Sequence, residues 1–321
     1  MRIGTRSSAM ALAQTDDIAA AYRAAHDGAA VEIVRFSPRG DRDQISKLDT
    51  HGGKGGAFVA EIRDAMREAR LDAAMHSLKD MPGDEETPGL VIGAYMKRET
   101  LEDALVLRKG ESFEAFQAAK GAGYKIGTNS VRRKALLKRL YPDAEVIHFR
   151  GAADTRIKKL DENAMQRLPD GGEVGPADAL IMARCGLERV GLAHRIAHIF
   201  SLEEIPSAPG QGIVAVECRA DNYDLLKSLS AIDDGNTRAI ALAERELLWV
   251  LNGHCNAPIA GYAEQDDDAL SLYGAVMSED GAEMIEVRQT SDLDRPRELG
   301  RAVGLALLAQ GAARIIDATR P

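Results

Sequence analysis

The sequence predicts an α/β protein that has two sheets in its first two-thirds and a smaller α+β domain at its C-terminal end. Short apolar runs alternate there with helix-length segments, which is typical of βαβ units and of mostly parallel sheets. The charged run Lys97-Arg98-Glu99 interrupts the apolar pattern and divides it between two sheets. In the last third, three strand-like runs follow one another before a helix, and this order indicates a separate α+β domain.

The elements of the first two-thirds follow from apolar runs and from the residues that end them. Ser8 can cap a helix that extends to about His26 and stops at Gly28. Further helices are predicted over residues 58–70, 131–140 and 155–160, and strands over residues 1–4, 31–36, 73–76, 90–95, 104–107, 125–127, 145–149 and 179–182. Residues 163–176 are rich in Gly and Pro, and we expect a flexible solvent loop without core contacts.

The C-terminal third begins with a long helix, predicted over residues 237–251 from their content of Ala, Leu and Glu. Strand-like runs over residues 259–263, 270–276 and 284–289 follow, and then a helix over residues 296–310.

Composition excludes several classes of protein. Of 321 residues, 45% are apolar and 28% are charged, and 50 acidic side chains against 41 basic ones give a net charge of −9. This balance argues against a general affinity for nucleic acid or anionic membranes, and 4% aromatic residues are too few for a surface that stacks many bases. No apolar run approaches the ~20 residues of a membrane span, and the short N-terminal apolar stretch does not fit a signal peptide. Three cysteines without paired spacing favour a reducing compartment, which we expect to be the cytoplasm.

Positive charge is concentrated in one segment of this acidic chain. Residues 120–160 contain 11 Lys or Arg and three acids, which gives that segment a net charge of +8. Codon usage could explain the general excess of arginine over lysine, but it does not explain a local concentration. Because guanidinium groups bind carboxylates and phosphates through two hydrogen bonds, the segment predicts a site for anions.

Three predicted strands are each followed by arginine close to Ser, Thr or Gly. After residues 125–127 come Thr128-Asn129-Ser130-Val131-Arg132-Arg133, where Ser130 or Asn129 can cap a helix whose free N–H groups attract anions. Arg150-Gly151 ends another strand, with Arg156 nearby, and Thr5-Arg6-Ser7-Ser8 repeats the pattern. The alternative is that these arginines are solvated and lie beside an ordinary capped helix. Taken together, the three strand-end motifs predict one site for a polyanion.

The segment His76-Ser77-Leu78-Lys79-Asp80-Met81-Pro82 follows an apolar strand. Residues at the carboxyl ends of strands face the crevice in which α/β proteins bind ligands. Lys79 and Asp80 could simply pair with each other. A carboxylate near a cation also stays ionised, which suits the stabilisation of a cationic intermediate.

The three cysteines have different settings. Cys218 falls on the apolar face of a predicted strand and Cys185 follows an apolar run, so both are expected to be packed and inert. Cys255 lies in the polar, turn-rich stretch Asn252-Gly253-His254-Cys255-Asn256. Such a thiol suits covalent attachment or nucleophilic attack, and a partly buried loop cysteine is the alternative.

Taken together, these motifs resemble the hydroxymethylbilane synthase (porphobilinogen deaminase) family from Thr5 to about Ala263. Each motif is weak alone, but their occurrence in the family's order is specific. In chain order they are Thr5-Arg6-Ser7-Ser8, Gly52-Gly53-Lys54-Gly55, His76-Ser77-Leu78-Lys79-Asp80-Met81-Pro82, Gly127-Thr128-Asn129-Ser130-Val131-Arg132-Arg133, Arg150-Gly151 with Thr155-Arg156, Gly186-Leu187-Glu188-Arg189, Pro209-Gly210-Gln211-Gly212, and Cys255 with Pro258 and Tyr262-Ala263-Glu264.

The resemblance implies a transferase that joins four porphobilinogens head to tail, with loss of four ammonias, into the linear tetrapyrrole hydroxymethylbilane. It implies one covalent dipyrromethane cofactor per chain, attached to Cys255 by a thioether, and a catalytic role for Asp80. The residues expected to hold the cofactor carboxylates are Lys79, Ser130, Arg132 and Arg133. Those expected to bind pyrrole carboxylates are Arg6, Ser8, Ser77, Arg150, Arg156 and Arg189, with Lys54 and Phe58 in a lid. No metal, nucleic acid, membrane or obligate protein partner is implied, and the chain is expected to be a monomer.

The family fold implies two α/β domains like those of periplasmic binding proteins and a third that carries the cysteine. We expect domain 1 over residues 1–97 and about 212–230, domain 2 over 101–206 and domain 3 over 235–321. The chain departs from the family pattern at Thr50, Asn129, Ala152 and His254, in one extra residue before Phe58, and in a longer connection at 163–176. Two other hypotheses are a binding protein without chemistry and a nucleic-acid-binding protein.

Overall fold

The computed structural model describes residues 1–37, 59–83, 87–168, 170–254 and 256–320. Two five-stranded sheets occupy most of the first two-thirds. Their strands, and those of a small hairpin, are β1 (Arg2–Arg6), β2 (Glu32–Phe36), β3 (Ala73–Ser77), β4 (Leu90–Tyr95), β5 (Asp103–Leu107), β6 (Lys125–Gly127), β7 (Glu145–Ile147), β8 (Gln166–Arg167), β9 (Glu173–Val174), β10 (Ala179–Ala183), β11 (Ile196–Ile199) and β12 (Val214–Arg219). The first sheet has the order β2-β1-β3-β12-β4 and the second β11-β5-β10-β6-β7.

Helices cover these sheets, and several begin where the sequence places a capping side chain. Ser8 accepts a hydrogen bond from the Ala11 N–H at the start of the first helix, as predicted. In chain order the helices are α1 (Ala9–Ala25), α2 (Ala60–Arg67), α3 (Phe113–Ala118), α4 (Val131–Leu140), α5 (Ala153–Asp161), α6 (Arg184–Arg189), α7 (Tyr223–Leu229), α8 (Gly235–Leu251), α9 (Pro296–Ala309) and α10 (Ala312–Asp317).

In each large sheet four of the five strands run in the same direction, so the prediction of mostly parallel sheets is confirmed, and one strand in each sheet runs the other way. Strand β12 runs antiparallel to β3 and β4, and β5 runs antiparallel to β10 and β11. The reason is topological: β12 enters the first sheet only after the chain has passed through the second. An apolar run identifies a buried strand but carries no information about its direction.

The C-terminal third is an antiparallel sheet covered by helices. Strands β13 (Ile259–Asp266), β14 (Ala269–Met277) and β15 (Met284–Asp292) are consecutive neighbours, and α8 and α9 contribute Leu247 and Val303 to a core shared with Leu272. The predicted α/β class, with two sheet domains and a smaller α+β part, is confirmed. In the described part of the chain, no helix is both long enough and apolar enough to span a bilayer.

Residues 163–176 are not the loop without core contacts that the sequence predicts. Strands β8 and β9 pair as a hairpin, Gln166 is 4% exposed, and Val174 packs against the core of the second sheet. Lys159 also donates hydrogen bonds to the Arg150 carbonyl oxygen and to Gln166 Oε1. Gly and Pro mark turns, but they do not show whether the residues between two turns pair.

Two segments cross between the large sheets, residues 96–102 and 200–213, and a buried carboxylate joins them to the C-terminal third. Glu244 of α8 is 0% exposed. It accepts hydrogen bonds from Arg98 Nη1 at 2.6 Å, from the Gly210 N–H at 2.6 Å and from the Ala263 N–H at 2.7 Å. One side chain therefore ties both crossing segments to the third sheet.

A second buried ionic group lies within the first sheet. Glu217 of β12 is 1% exposed; it accepts hydrogen bonds from Arg63 Nη2 at 2.8 Å and Nε at 3.0 Å, and its Oε2 lies 3.1 Å from His76 Nε2. Burial would raise the pKa of Glu217, but His76 and Arg63 lower it to about 2. This ion pair fixes helix α2 to the sheet.

The lowered pKa of Glu217 predicts acid sensitivity. A depressed carboxyl pKa stabilises the fold above its unfolded pKa of about 4.3, and this stabilisation is lost as the pH falls through the folded pKa. In urea denaturation, Glu217→Gln should be less stable than the wild type at pH 7 by roughly 3 kcal/mol, and the difference should shrink towards pH 2. Glu264→Gln is the control, because its partner Arg288 is 3.4 Å away and both side chains are about half exposed. A Glu217→Gln difference that does not change with pH would contradict this account.

Candidate active site

The carboxyl end of β3 leads into a tight turn that presents Lys79 and Asp80. A 3₁₀ turn spans Leu78–Asp80, and the Met81 N–H donates to the Leu78 carbonyl oxygen at 3.0 Å. Gly210 packs directly on this turn: its φ is +77°, and an added Cβ would lie 2.8 Å from the Lys79 nitrogen. Only glycine fits both that backbone conformation and that approach.

The start of α4 faces the same region from the second sheet. Ser130 caps the helix by accepting a hydrogen bond from the Arg133 N–H at 3.4 Å, and Asn129 instead accepts from the Phe149 N–H at 2.8 Å. The alternative left open by the sequence is thereby decided in favour of Ser130. Arg132 and Arg133, in the first helical turn, are 4% and 8% exposed.

One buried carboxylate holds these two arginines side by side. Asp103, 0% exposed, accepts from Arg132 Nη2 at 2.7 Å, from Arg133 Nε at 3.0 Å and from Arg133 Nη2 at 2.6 Å. Burial would raise the pKa of Asp103, but the two arginines lower it well below its usual range. Asp103 is therefore a permanent anion between two cations.

Lys79 belongs to the same cluster. Its ammonium donates to Gln211 Oε1 at 3.1 Å. Burial lowers the pKa of Lys79, the charge of Arg133 lowers it further, and Asp80 and Asp103 oppose the change.

Arg156 of α5 completes the cationic group. Burial lowers its pKa to about 10, Arg133 contributes in the same direction, and Asp80 opposes it. The Nε atoms of Arg132 and Arg156 are buried and make no hydrogen bond with any residue that the structure describes. Because an unpaired buried donor is costly, these two N–H groups indicate where an anionic ligand would be stabilised.

The remaining predicted residues differ in their surroundings. Ser77 Oγ donates to Gln14 Oε1 at 2.9 Å, and Arg6 and Arg150 lie partly buried just at or after strand ends. Arg189 is held by Glu99 at 2.6 Å and by Asp17 at 3.3 Å. Its guanidinium is thus engaged by protein carboxylates.

Three predicted residues, Cys255, Lys54 and Phe58, lie outside the residues that the structure describes, as does Thr50. Near Cys255, Nδ1 of His254 accepts a hydrogen bond from the Asn256 N–H at 3.3 Å, and its Nε2 lies 3.3 Å from the Ile316 carbonyl oxygen. The departure at Ala152 has a visible consequence, because Ala152 is the N-cap of α5 and supplies no side-chain hydrogen bond.

Sequence reasoning missed Asp103 and did not assign a role to Gln211. The available signals were weak: one acid at the start of an apolar strand, and one glutamine inside a glycine-rich motif. Their partners are distant along the chain, so no local spacing reveals the cluster.

Two family models match the chain. Residues 1–227 match "Porphobilinogen deaminase, dipyromethane cofactor binding domain", and residues 239–309 match "Porphobilinogen deaminase, C-terminal domain". The chain belongs to the porphobilinogen deaminase family. The predictions of this family, of an enzyme and of a dipyrromethane cofactor are thereby confirmed.

Individual relatives agree over nearly the whole length. Porphobilinogen deaminase 2 of Streptomyces coelicolor is 38% identical over 319 residues, which are 99% of this chain and 96% of that protein. Porphobilinogen deaminase of Syntrophobacter fumaroxidans is 37% identical over 317 residues, 99% of this chain and 97% of that protein. Among solved structures, the periplasmic VFT2 domain of Bordetella pertussis BvgS is 13% identical with a TM-score of 0.40, covering 72% of this chain and 86% of that one; this likeness carries no argument about function.

The residues of this cationic cluster fit the family's cofactor. A dipyrromethane made from porphobilinogen carries acetate and propionate groups and needs several cations around it. Lys79, Arg132, Arg133 and Arg156 supply these cations, and the orphaned Nε–H groups of Arg132 and Arg156 are donors for which the described residues offer no acceptor.

Asp103 is the counter-charge of Arg132 and Arg133, so its removal should destabilise the folded chain. Asp103→Asn keeps the shape but leaves two buried guanidinium groups without an anion, which should lower the free energy of unfolding by about 3–5 kcal/mol. Asp161→Asn is the matched control, because Asp161 also binds an arginine, Arg195, at 2.8 Å, but is 17% exposed. It should cost clearly less in the same urea denaturation at pH 7. Equal costs for the two variants would contradict the role given to Asp103.

Proposed function

We propose that the cleft between the turn at Lys79–Asp80 and the start of α4 is where this porphobilinogen deaminase carries out its reaction. The enzyme joins porphobilinogens head to tail into hydroxymethylbilane and releases one ammonia per monomer. The observation that carries the assignment is a group of cations next to Asp80, the carboxylate at the end of β3; two of these cations have buried Nε–H donors for which the described residues offer no acceptor. This is the arrangement that a polyanionic chain with a cationic transition state requires.

We propose that Lys79, Ser130, Arg132 and Arg133 hold the cofactor carboxylates. The cofactor supplies a nucleophilic pyrrole carbon on which the product chain is extended. The four side chains keep it in place: the arginines present fixed N–H groups, Lys79 adds a positive charge, and Ser130 lies at the helix end where N–H groups point outward. Burial strengthens these contacts because water competes less for each charge.

Asp80 is proposed as the catalytic residue. Loss of ammonia from porphobilinogen leaves a cation whose charge is shared by the pyrrole nitrogen, and a carboxylate beside that nitrogen stabilises the charge and can accept the proton released later. The charges of Lys79 and Arg156 act on the same region. Lys79 is proposed to neutralise a cofactor carboxylate and Arg156 a substrate carboxylate, so that neither carboxylate competes with Asp80 for the cation.

Substrate carboxylates are proposed to bind at Arg6, Ser8, Ser77 and Arg150, which lie at or near strand ends, and at Arg156 in helix α5. Arg189 is proposed to take part only after exchanging one of its present partners, Glu99 or Asp17, for a substrate carboxylate. Either exchange leaves Arg189 paired with the same number of carboxylates, because a substrate carboxylate takes the place of Glu99 or of Asp17.

The remaining assignments are also proposals. Cys255 is the proposed thioether attachment site, and Lys54 and Phe58 are the proposed lid residues. The division into domains 1–97 with about 212–230, 101–206 and 235–321 is supported by which strands share each sheet. A cytoplasmic location is supported by cysteine usage.

Substitution of Asp80 tests the function. Asp80→Asn removes the charge but keeps the shape, so kcat should fall at least ~100-fold, as when one preorganised electrostatic group is lost, with a far smaller change in KM. Asp80→Glu keeps the charge and should retain more activity. The measurement is steady-state consumption of porphobilinogen. Near-normal kcat with a raised KM in Asp80→Asn would make Asp80 a binding residue instead.

Substitution of Cys255 tests the attachment site. Cys255→Ser replaces the nucleophilic sulfur by a poorer nucleophile, so the purified chain should have its bare mass and give no pink colour with an aldehyde reagent for dipyrromethanes. Cys185→Ser is the control, because Cys185 is buried and burial raises its pKa; it should keep the adduct. An adduct that persists in Cys255→Ser would place the attachment elsewhere.

A further inference from the structure

Gln211 lies between Lys79, which follows strand β3, and Asp103, which holds Arg132 and Arg133 of helix α4. Its side chain is fully buried. The amide nitrogen donates to Asp103 Oδ1 at 2.9 Å and to the Leu101 carbonyl oxygen at 2.6 Å, and the amide oxygen accepts from Lys79 Nζ at 3.1 Å. One side chain thus contacts the counter-charge of the arginine pair and the lysine of the catalytic turn.

The orientation of this amide is fixed by its partners. Asp103 and the Leu101 carbonyl only accept hydrogen bonds, whereas the Lys79 ammonium only donates them. A flipped amide would face two acceptors with its oxygen and a cation with its N–H groups. Each of the three hydrogen bonds would then be lost, so a single orientation is stable.

The backbone of Gln211 is held as firmly as its side chain. Its carbonyl oxygen accepts from Arg98 Nε at 3.0 Å. The preceding Gly210 N–H donates to Glu244, and an added Cβ on the following Gly212 (φ +80°) would lie 2.8 Å from the Glu99 carbonyl oxygen. Gln211 is therefore a fixed point from which Lys79 can be positioned.

We propose that Gln211 is a positioning residue for the cofactor-binding cations, which sets the Lys79 ammonium against the arginine pair by joining it to Asp103. The inference rests on the proposed function, because it concerns the residues assigned there to the cofactor carboxylates. Without the bridge, Lys79 would face the like charge of Arg133 without its neutral acceptor, and its long side chain would gain freedom to move away. Gln211 thus keeps cations from both sheets close enough to bind one polyanion.

This role has a readout that a purely structural role would not change. Among the described residues, the charged groups that act on Lys79 include Asp80 on its own turn, Arg133 on α4 and Asp103 on β5, and the titratable thiol of Cys185 on α6 lies in the same surroundings. Removing an acceptor from an ammonium favours the neutral amine. Gln211→Met, which is similar in length but cannot accept from Lys79 in this way, should therefore make Lys79 lose its proton at a lower pH.

The experiment is pulse acylation of the purified holoenzyme with acetic anhydride over a pH series, followed by peptide mass spectrometry of Lys79. In Gln211→Met the midpoint of Lys79 acylation should fall by about one pH unit, and kcat/KM should fall about tenfold. Gln211→Asn keeps the amide but is one methylene shorter, and it should shift the midpoint in the same direction by less. The Asn variant also carries the test if the Met variant does not fold.

Gln166→Met is the matched control. Gln166 is also buried, at 4% exposure, and its Oε1 also accepts from a lysine, Lys159 at 3.3 Å. It should lose similar thermal stability but leave the Lys79 midpoint unchanged. A Lys79 midpoint that is unchanged in both Gln211 variants, or that shifts equally in Gln166→Met, would overturn the proposal. Wild-type holoenzyme that does not consume porphobilinogen would instead refute the proposed function, and the Lys79 midpoints of the variants would still decide whether Gln211 positions Lys79.

Discussion

The cleft depends on one electrostatic constraint: cations that must bind a polyanion repel each other until it arrives. Asp103 meets this constraint for Arg132 and Arg133, because each of its oxygens accepts from a guanidinium group. It neutralises only part of the cluster, however. Burial, and then the charge of Arg133, lowers the pKa values of Lys79 and Arg156, and a carboxylate that binds beside these two groups would oppose that change. The site is organised before its ligand binds, which reduces the cost of ordering it later.

The same region is where the chain joins its three sheets. The crossing segment 200–213 carries Gly210 and Gln211, and Glu244 ties it to the crossing segment 96–102 and to the C-terminal third. A rotation of one sheet relative to the other would therefore move Gly210 and Gln211, which contact the turn Leu78–Asp80. Arg189, with its partners Glu99 and Asp17, forms a second ionic contact in this part of the fold.

The sequence predicts those features whose cause is local. Strands β4 and β6 and helix α4 agree with prediction at both ends, because turn residues and the Ser130 cap bound them. The strand-end motifs likewise place Lys79, Asp80 and Arg133 in one region. The features that the sequence does not predict depend on contacts elsewhere in the chain. They are the direction of β12, the pairing of β8 with β9, and the contact of Gln211 with Asp103 across 108 residues. In each case the deciding partner is remote, and no local propensity or spacing encodes it.

The most direct test of the account is the stoichiometry of the reaction catalysed by the purified chain. Porphobilinogen is supplied in excess, and the ammonia released is measured together with the linear tetrapyrrole formed. If each pyrrole added to the chain releases one ammonia, four ammonias should be released for every hydroxymethylbilane formed. Porphobilinogen that is bound but not consumed, with no release of ammonia, would contradict the account and leave a binding protein in its place.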